Sequence, residues 1–239
     1  MSQSFIKKAY VDTQYAQIHY RYSIPTKNTT KKSTPIIFLH KSASSSASYE
    51  SLIRLYSSLG YTCYAPDMPG FSSSFDPSPS DIAEIKIKGT KWFISVFMEA
   101  FHLMGLPRDQ SRCYVMEHHS GAVLATEIAA LYPDFVASIC LVGSTVMNAE
   151  ERAAMKEIFF KPFNEPVLDC AHLLKIWDYL SKIGIGGDLG LWQREAIDHI
   201  RAWKGRNLIY GAVWAQDAER IYMDVKCPIM LMCAADDVI

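Results

Sequence analysis

The stretch Cys113-Tyr114-Val115-Met116-Glu117-His118-His119-Ser120-Gly121-Ala122 decides the fold of this chain. It begins with residues that favour a β-strand, and it leads into the Ala-rich segment Ala122 to Leu131, which is closed by Tyr132-Pro133. A strand that turns sharply into a helix is the basic unit of a parallel sheet covered by helices. The sequence therefore predicts an α/β architecture around this turn.

The same order of strand, loop and helix recurs on both sides of this stretch. Strands are predicted from the apolar runs 35–39, 61–65, 137–142 and 228–233, and helices from 49–56 and within 81–104. Runs that are apolar throughout are typical of strands buried on both faces. A hairpin from Lys8 to Ile24 precedes them, because apolar and polar residues alternate there. We expect a doubly wound, mostly parallel sheet.

The strand pattern disappears between Asn148 and about Met223, where amphipathic helical segments such as Glu150–Phe160 and Val167–Ile183 take its place. We interpret residues 148–223 as a helical cap inserted into a core formed by residues 1–147. Residues 224–239 then return to the core as a strand and a turn.

The composition excludes several classes of partner. Lys and Arg number 24 against 25 Asp and Glu, so no basic surface for nucleic acid or an anionic membrane is expected. The start, Met1 to Lys8, lacks the charged and apolar regions of a secretion signal, and we expect a cytoplasmic protein. The six cysteines are far apart, with no C-x-x-C pair that would suggest zinc or redox chemistry, and they are interpreted as buried free thiols. We expect neither a metal nor an organic cofactor.

Four segments, in this order, resemble the α/β-hydrolase superfamily. They are Phe38-Leu39-His40, Ala65 to Ser72, His118 to Ala122, and Leu231 to Asp237. The resemblance extends over nearly the whole chain apart from the cap. It implies an α/β-hydrolase fold and a small-molecule substrate, with no nucleic acid or membrane partner.

In this superfamily a nucleophile lies in G-x-S-x-G, on the strained turn called the nucleophile elbow. The helix after the elbow has small residues six and ten positions beyond the nucleophile, and Tyr-Pro at thirteen and fourteen. Ala125, Ala129 and Tyr132-Pro133 match these offsets when His119 is the elbow residue. Glu117 then replaces the first glycine of the motif. In the competing register Ser120 is the nucleophile.

The resemblance implies a triad acid at Asp237, or at Asp236 if the turn shifts by one residue. The family's catalytic histidine follows the acid, but all seven histidines of this chain precede it. The family's last strand and helix also have no counterpart after Ile239. Three explanations are open: a sequence cut short, a natural truncation, or a partner chain that covers the edge. A natural truncation would leave an edge strand uncovered, and it predicts weak stability or a homodimer.

Two sets of residues are candidates for the chemistry. His119 at the elbow is suited to moving protons, because its reference pKa is near neutrality and Glu117 or Asp237 would raise it. The oxyanion hole is predicted from the Ser120 N–H and from the loop that begins at His40 and Lys41. Lys41 either holds an anionic or enolate oxygen or points to solvent, and His40 is expected mainly to order its own loop.

Three functions remain open from the sequence. The first is hydrolysis of a small or medium-sized apolar carbonyl compound, most simply a carboxylic ester. The second is a lyase, isomerase or cyclase reaction in which His119 transfers a proton. The third is ligand binding without catalysis, favoured by the absent histidine and by the unusual residues Glu117, Lys41 and His119.

Overall fold

A seven-stranded sheet forms the centre of the protein, in the order β1-β2-β4-β3-β5-β6-β7. The structure, a computed structural model, describes residues 5–26, 29–107, 112–143, 146–159, 163–183 and 186–233. The strands are β1 (Lys7–Asp12), β2 (Gln17–Ser23), β3 (Ile36–Leu39), β4 (Cys63–Pro66), β5 (Cys113–His118), β6 (Val136–Val142) and β7 (Ile229–Met232). The first pairs, β1 with β2 and β2 with β4, are antiparallel, and the remaining pairs are parallel. The predicted fold class is confirmed.

Helices occupy both faces of this sheet. They are α1 (Glu50–Ser58), α2 (Pro79–Lys88), α3 (Thr90–Leu103), α4 (Ser120–Leu131), α5 (Ala149–Phe159), α6 (Ala171–Lys182), α7 (Leu189–Arg201), α8 (Trp203–Ala215) and α9 (Ala218–Asp224). The region 81–104, in which the sequence predicts a helix, contains two, because Gly89 has a φ of 59° and interrupts the helical path. A Cβ at Gly89 would meet nothing within 4 Å, so glycine is used there for its backbone conformation and not for space.

The main core lies between the sheet and helices α3 and α4. Leu39, Val115 and Leu141 supply it from the strands, and Phe97 and Leu124 from the helices. All of α4 from Ser120 to Ala129 is buried, which explains why its sequence is rich in small residues. A smaller cluster on the opposite face packs α1 against β3 and β4.

The segment between β6 and β7 carries α5 to α9 and is not uniform. Helices α6 and α7 form a small core of their own around Ile176, Leu180 and Ala196. Ile209 and Val213 of α8 instead belong to the main core, beside α4. Within the predicted cap segment, therefore, α8 packs as a layer of the core, and α6 and α7 form the part that lies over the sheet's end.

Two surface features follow from this arrangement. Strand β7 lies at the edge of the described sheet and leaves Met230 and Leu231 more than half exposed. The thiols are only partly as expected: Cys63 and Cys113 are buried, whereas Cys170 and Cys233 are exposed.

None of the helices within the described ranges has both the length and the apolar character needed to cross a membrane.

Candidate functional site

A single residue, His119, forms the turn between β5 and α4. Its φ of 46° and ψ of −110° lie outside the regions that side-chain-bearing residues favour, so the backbone is strained there. The His119 N–H donates to Val142 O of the neighbouring strand, and its carbonyl accepts from Val123 N–H in the first turn of α4. The two bonds fix the turn from the sheet and from the helix. The imidazole is half-buried and stacks on His118, with 4.4 Å between ring centroids.

Two glycines make room for this turn. A Cβ on Gly121 would collide with the carbonyl oxygen of Leu39, so α4 approaches the end of β3 as closely as a glycine allows. A Cβ on Gly143 would lie 2.8 Å from Cε1 of His119. Gly143 also has a φ of 58°, so both its backbone and its missing side chain are required. The His119 ring is thus held in a space that Gly143 leaves open.

Ser120 is the first residue of α4 and is only 4% exposed. Its Oγ accepts a hydrogen bond of 2.7 Å from the backbone N–H of Ser42. The loop after β3 was expected to supply an oxyanion-hole donor, and the Ser42 N–H of that loop already donates to Ser120. Because the Ser120 hydroxyl uses one lone pair as acceptor, its own proton remains available to a further acceptor.

His40 and Asp67 order the loops around the turn. The Nδ1–H of His40 donates to Lys41 O, and its Nε2 accepts from Met68 N–H at 2.9 Å. Both ring nitrogens are therefore engaged, and burial lowers the pKa of His40 below its usual 6.5 despite the nearby Asp67. Burial alone would raise the pKa of Asp67, but hydrogen bonds from His19 and Ser46, together with the nearby His40, bring it down to about 2.

Glu117 does not lie beside the His119 ring as a charged partner. It pairs with Leu39 on one side and Leu141 on the other, so its side chain extends into the main core with theirs. It is fully buried, and neither carboxyl oxygen has a hydrogen-bond partner among the described residues. Burial raises the pKa of Glu117 well above 4.5. The raised pKa favours the uncharged form of the Glu117 carboxyl, whereas a charged partner for His119 was expected from the sequence.

Helix α7 closes over the loop that follows β3. Ser44 Oγ donates to Glu195 Oε1 at 3.3 Å, and Ser45 Oγ donates to Asp198 Oδ2 at 2.8 Å. Both carboxyls are buried. Burial raises the pKa of Asp198 to about 7, and the neighbouring Glu195 acts in the same direction, although the bond from Ser45 opposes it.

His199 lies one turn after Glu195 and on the same face of α7. Its Nδ1–H donates to Glu195 O at 2.9 Å, which leaves Nε2 as an acceptor. Burial lowers the pKa of His199, and the positive charge of Lys41 lowers it further, so the ring is neutral near neutral pH. Asn164 joins this group, because its Nδ2–H donates to His199 O at 2.7 Å.

The structure therefore brings four of the predicted site residues, His40, Lys41, His119 and Ser120, to the carboxyl ends of β3 and β5. Asp236 and Asp237 lie outside the described residues. From the sequence we expected α7 to be part of an ordinary cap, and we did not identify Asn164, Glu195 and Asp198. The i, i+3 and i+4 spacing of Glu195, Asp198 and His199 was the available signal, because it places three polar groups on one helical face.

Comparison with known proteins gives the same architecture. A family model described as the alpha/beta hydrolase fold matches residues 34–207, and no curated protein matches the chain.

Three solved structures show the extent of the likeness. A variant of the N-acyl homoserine lactonase AidH, complexed with N-hexanoyl homoserine lactone, superposes with a TM-score of 0.72 at 17% identity, over 97% of this chain and 80% of that one. A hydrolase from Pseudomonas aeruginosa superposes with a TM-score of 0.71 at 11% identity, over 96% of this chain and 80% of that one. An epoxide hydrolase from Vigna radiata superposes with a TM-score of 0.65 at 15% identity, over 95% of this chain and 79% of that one. At these identities the likeness shows the fold alone.

Proposed function

Because the chain belongs to the α/β-hydrolase family, we propose that it acts on a small or medium-sized apolar carbonyl compound, with His119 as the group that moves the proton. Hydrolysis of a carboxylic ester is the reaction that this site would perform most directly. The lactonase, the hydrolase and the epoxide hydrolase of similar fold support a hydrolytic reaction.

One observation carries the choice of His119 over Ser120. The strained turn that ends β5 presents the half-buried ring of His119, whereas Ser120 is buried in the first turn of α4 with its Oγ accepting from Ser42. A serine nucleophile must reach the substrate carbon and give its proton to a base. An imidazole at the turn needs only a bound water and a carbonyl within hydrogen-bond reach.

The proposed reaction proceeds without an acyl-enzyme. His119 takes a proton from a water molecule while the oxygen of that water attacks the carbonyl carbon. The resulting tetrahedral anion is stabilised by the Ser120 N–H, the oxyanion-hole donor that follows the turn. The imidazolium then returns its proton to the leaving alkoxide, and the free acid and alcohol are released.

A second function is favoured by the same residue. Proton transfer by His119 without attack by water would give a lyase, isomerase or cyclase. A third, ligand binding without turnover, is favoured by the bond between Ser42 and Ser120, which occupies an amide of the predicted oxyanion loop. The products separate these functions: an acid and an alcohol, a product of unchanged mass, or none.

The test is hydrolysis of activated short- and medium-chain esters by the wild type, His119→Ala and Ser120→Ala, with labelling by a fluorophosphonate probe read by intact mass. We expect His119→Ala to lose about 10²- to 10⁴-fold in kcat/KM, as general-base catalysis contributes. Ser120→Ala should lose about tenfold, and the probe should label no protein. Labelling of Ser120 would overturn the assignment of His119, and no turnover by the wild type would overturn the hydrolase proposal.

A further inference from the structure

Beneath α7, several buried polar atoms have no hydrogen-bond partner among the described residues. They include Glu195 Oε2, Asn164 Oδ1 and Ser42 Oγ. Glu195 is 4% exposed and Asn164 is 1% exposed. Buried polar atoms are normally hydrogen-bonded, and each one left unpaired costs on the order of 1–3 kcal/mol. Glu195 Oε2 and Asn164 Oδ1 therefore need a partner that the described part of the chain does not supply.

The hydrogen bonds of their neighbours link these atoms to the turn at His119. Ser42 donates its N–H to Ser120, and Ser44 of the same loop donates to Glu195 Oε1. Asn164 reaches the group from the other side through His199. The unpaired atoms thus extend from the loop beside the elbow to the inner face of α7.

The chemistry of the group selects its ligand. Glu195 Oε2 and Asn164 Oδ1 are acceptors only, and Nε2 of His199 is an acceptor because Nδ1 carries the proton. Arg194 contacts Glu195 Oε1 at 2.9 Å and balances its charge. Lys41 adds a positive charge near His199. The group consists mainly of acceptors, beside which Nε of Arg194 is a buried donor with no acceptor among the described residues. The positive charges of Arg194 and Lys41 make a cation a poor ligand here.

We propose that Glu195, Asn164 and His199 form a recognition site for a neutral hydrogen-bond donor, a hydroxyl or an amide N–H, carried by the substrate away from its reacting carbonyl. The proposal rests on the proposed function and gives its substrate a second feature. The substrate is then an apolar carbonyl compound with one polar hydrogen on its acyl portion.

Glu195→Gln is the most direct test. It keeps the side-chain volume and the Oε1 atom that accepts from Ser44, and it replaces the unpaired Oε2 with an NH₂ group. Glu127→Gln is the matched control: Glu127 is also buried, but it accepts from Thr90 and Gln216 in another part of the core. The ligands are ethyl esters of ω-hydroxy acids and the isosteric esters in which a methyl group replaces the hydroxyl.

The wild type should prefer the hydroxy esters by about 10- to 100-fold in kcat/KM, as expected for a hydrogen bond to a charged acceptor. This preference should disappear in Glu195→Gln and persist in Glu127→Gln. Equal rates for both ester series in the wild type, or a preference that survives in Glu195→Gln, would overturn the proposal.

Binding keeps this proposal separate from catalysis. The same ester pairs are added to His119→Ala, and their binding is measured by saturation-transfer NMR. His119→Ala should bind the hydroxy esters selectively, and the double variant that also carries Glu195→Gln should lose this selectivity. That result would support the recognition site even if the wild type hydrolyses no ester. Equal or absent binding of both series to His119→Ala would overturn it, with water alone then satisfying the acceptors.

Discussion

Substitution of Gly143 by alanine tests whether the His119 ring must stay where the structure places it. The new Cβ would lie 2.8 Å from Cε1 and 3.2 Å from Nδ1 and Nε2 of His119. Carbon atoms in contact lie about 3.5–4.0 Å apart, so the ring must move by about 1 Å. A misplacement of that size in a catalytic group is enough to lower the rate by about 100-fold.

The stability cost of Gly143→Ala has two parts. An alanine at the φ of 58° costs about 1–2 kcal/mol through its backbone alone. Displacing the ring from His118 adds a second cost, which exists only while His119 is present. Gly105→Ala is the matched control for the first part, because Gly105 has a φ of 74° and a Cβ there would meet nothing within 4 Å.

The assay combines urea unfolding with ester hydrolysis for Gly143→Ala, His119→Ala and the double variant. In the wild type, we expect Gly143→Ala to lower the free energy of unfolding by more than Gly105→Ala does. In the His119→Ala background, Gly143→Ala should lower it only by about the amount that Gly105→Ala costs the wild type. Its kcat/KM should fall about 100-fold. The reasoning is refuted if Gly143→Ala keeps wild-type activity, or if its cost in stability is the same with and without His119.

Two further predictions concern buried carboxyls. Burial raises the pKa of Asp198 from 3.8 to about 7, so the folded protein keeps a proton that the unfolded chain loses. The free energy of unfolding should therefore fall as the pH rises from about 4 to about 7, by up to about 1.4 kcal/mol per pH unit. Urea unfolding at pH 5 and pH 8 should show a smaller fall in Asp198→Asn, and an equal fall would contradict this cause. Glu117→Leu should raise the free energy of unfolding by about 1–3 kcal/mol, because it removes a buried carboxyl that has no hydrogen-bond partner among the described residues. A lower urea midpoint for Glu117→Leu would show that the carboxyl is paired.

The alternation of strands and helices was predictable because it depends on local properties. The buried strands β3 and β4 are apolar throughout, since both their faces are covered, and this pattern is visible without any knowledge of their neighbours. The break at Gly89 was not predicted, because the flanking residues favour helices and only the positive φ of the glycine separates them.

The strand-to-helix turn at His119 is also determined locally, by a strand, a small-residue helix and Gly121 in the first turn of that helix. What the turn contacts is decided by the tertiary structure. The bond from Ser42 to Ser120 joins residues 78 positions apart, and the bond from Ser44 to Glu195 joins residues 151 positions apart. No periodicity in the sequence encodes such pairings, because each depends on how loops and helices far apart in the chain meet above the sheet.

Glu117 shows most clearly how the two levels differ. Its position two residues before the turn is fixed by the sequence, and its proximity to His119 suggested a charged partner for the imidazole. The pleat of β5 places its side chain on the core face with Leu39 and Leu141, where burial raises its pKa and disfavours the charged form. The sequence by itself therefore determined the fold and the candidate residues, whereas only the tertiary structure decided which of them are charged, buried or able to reach a substrate.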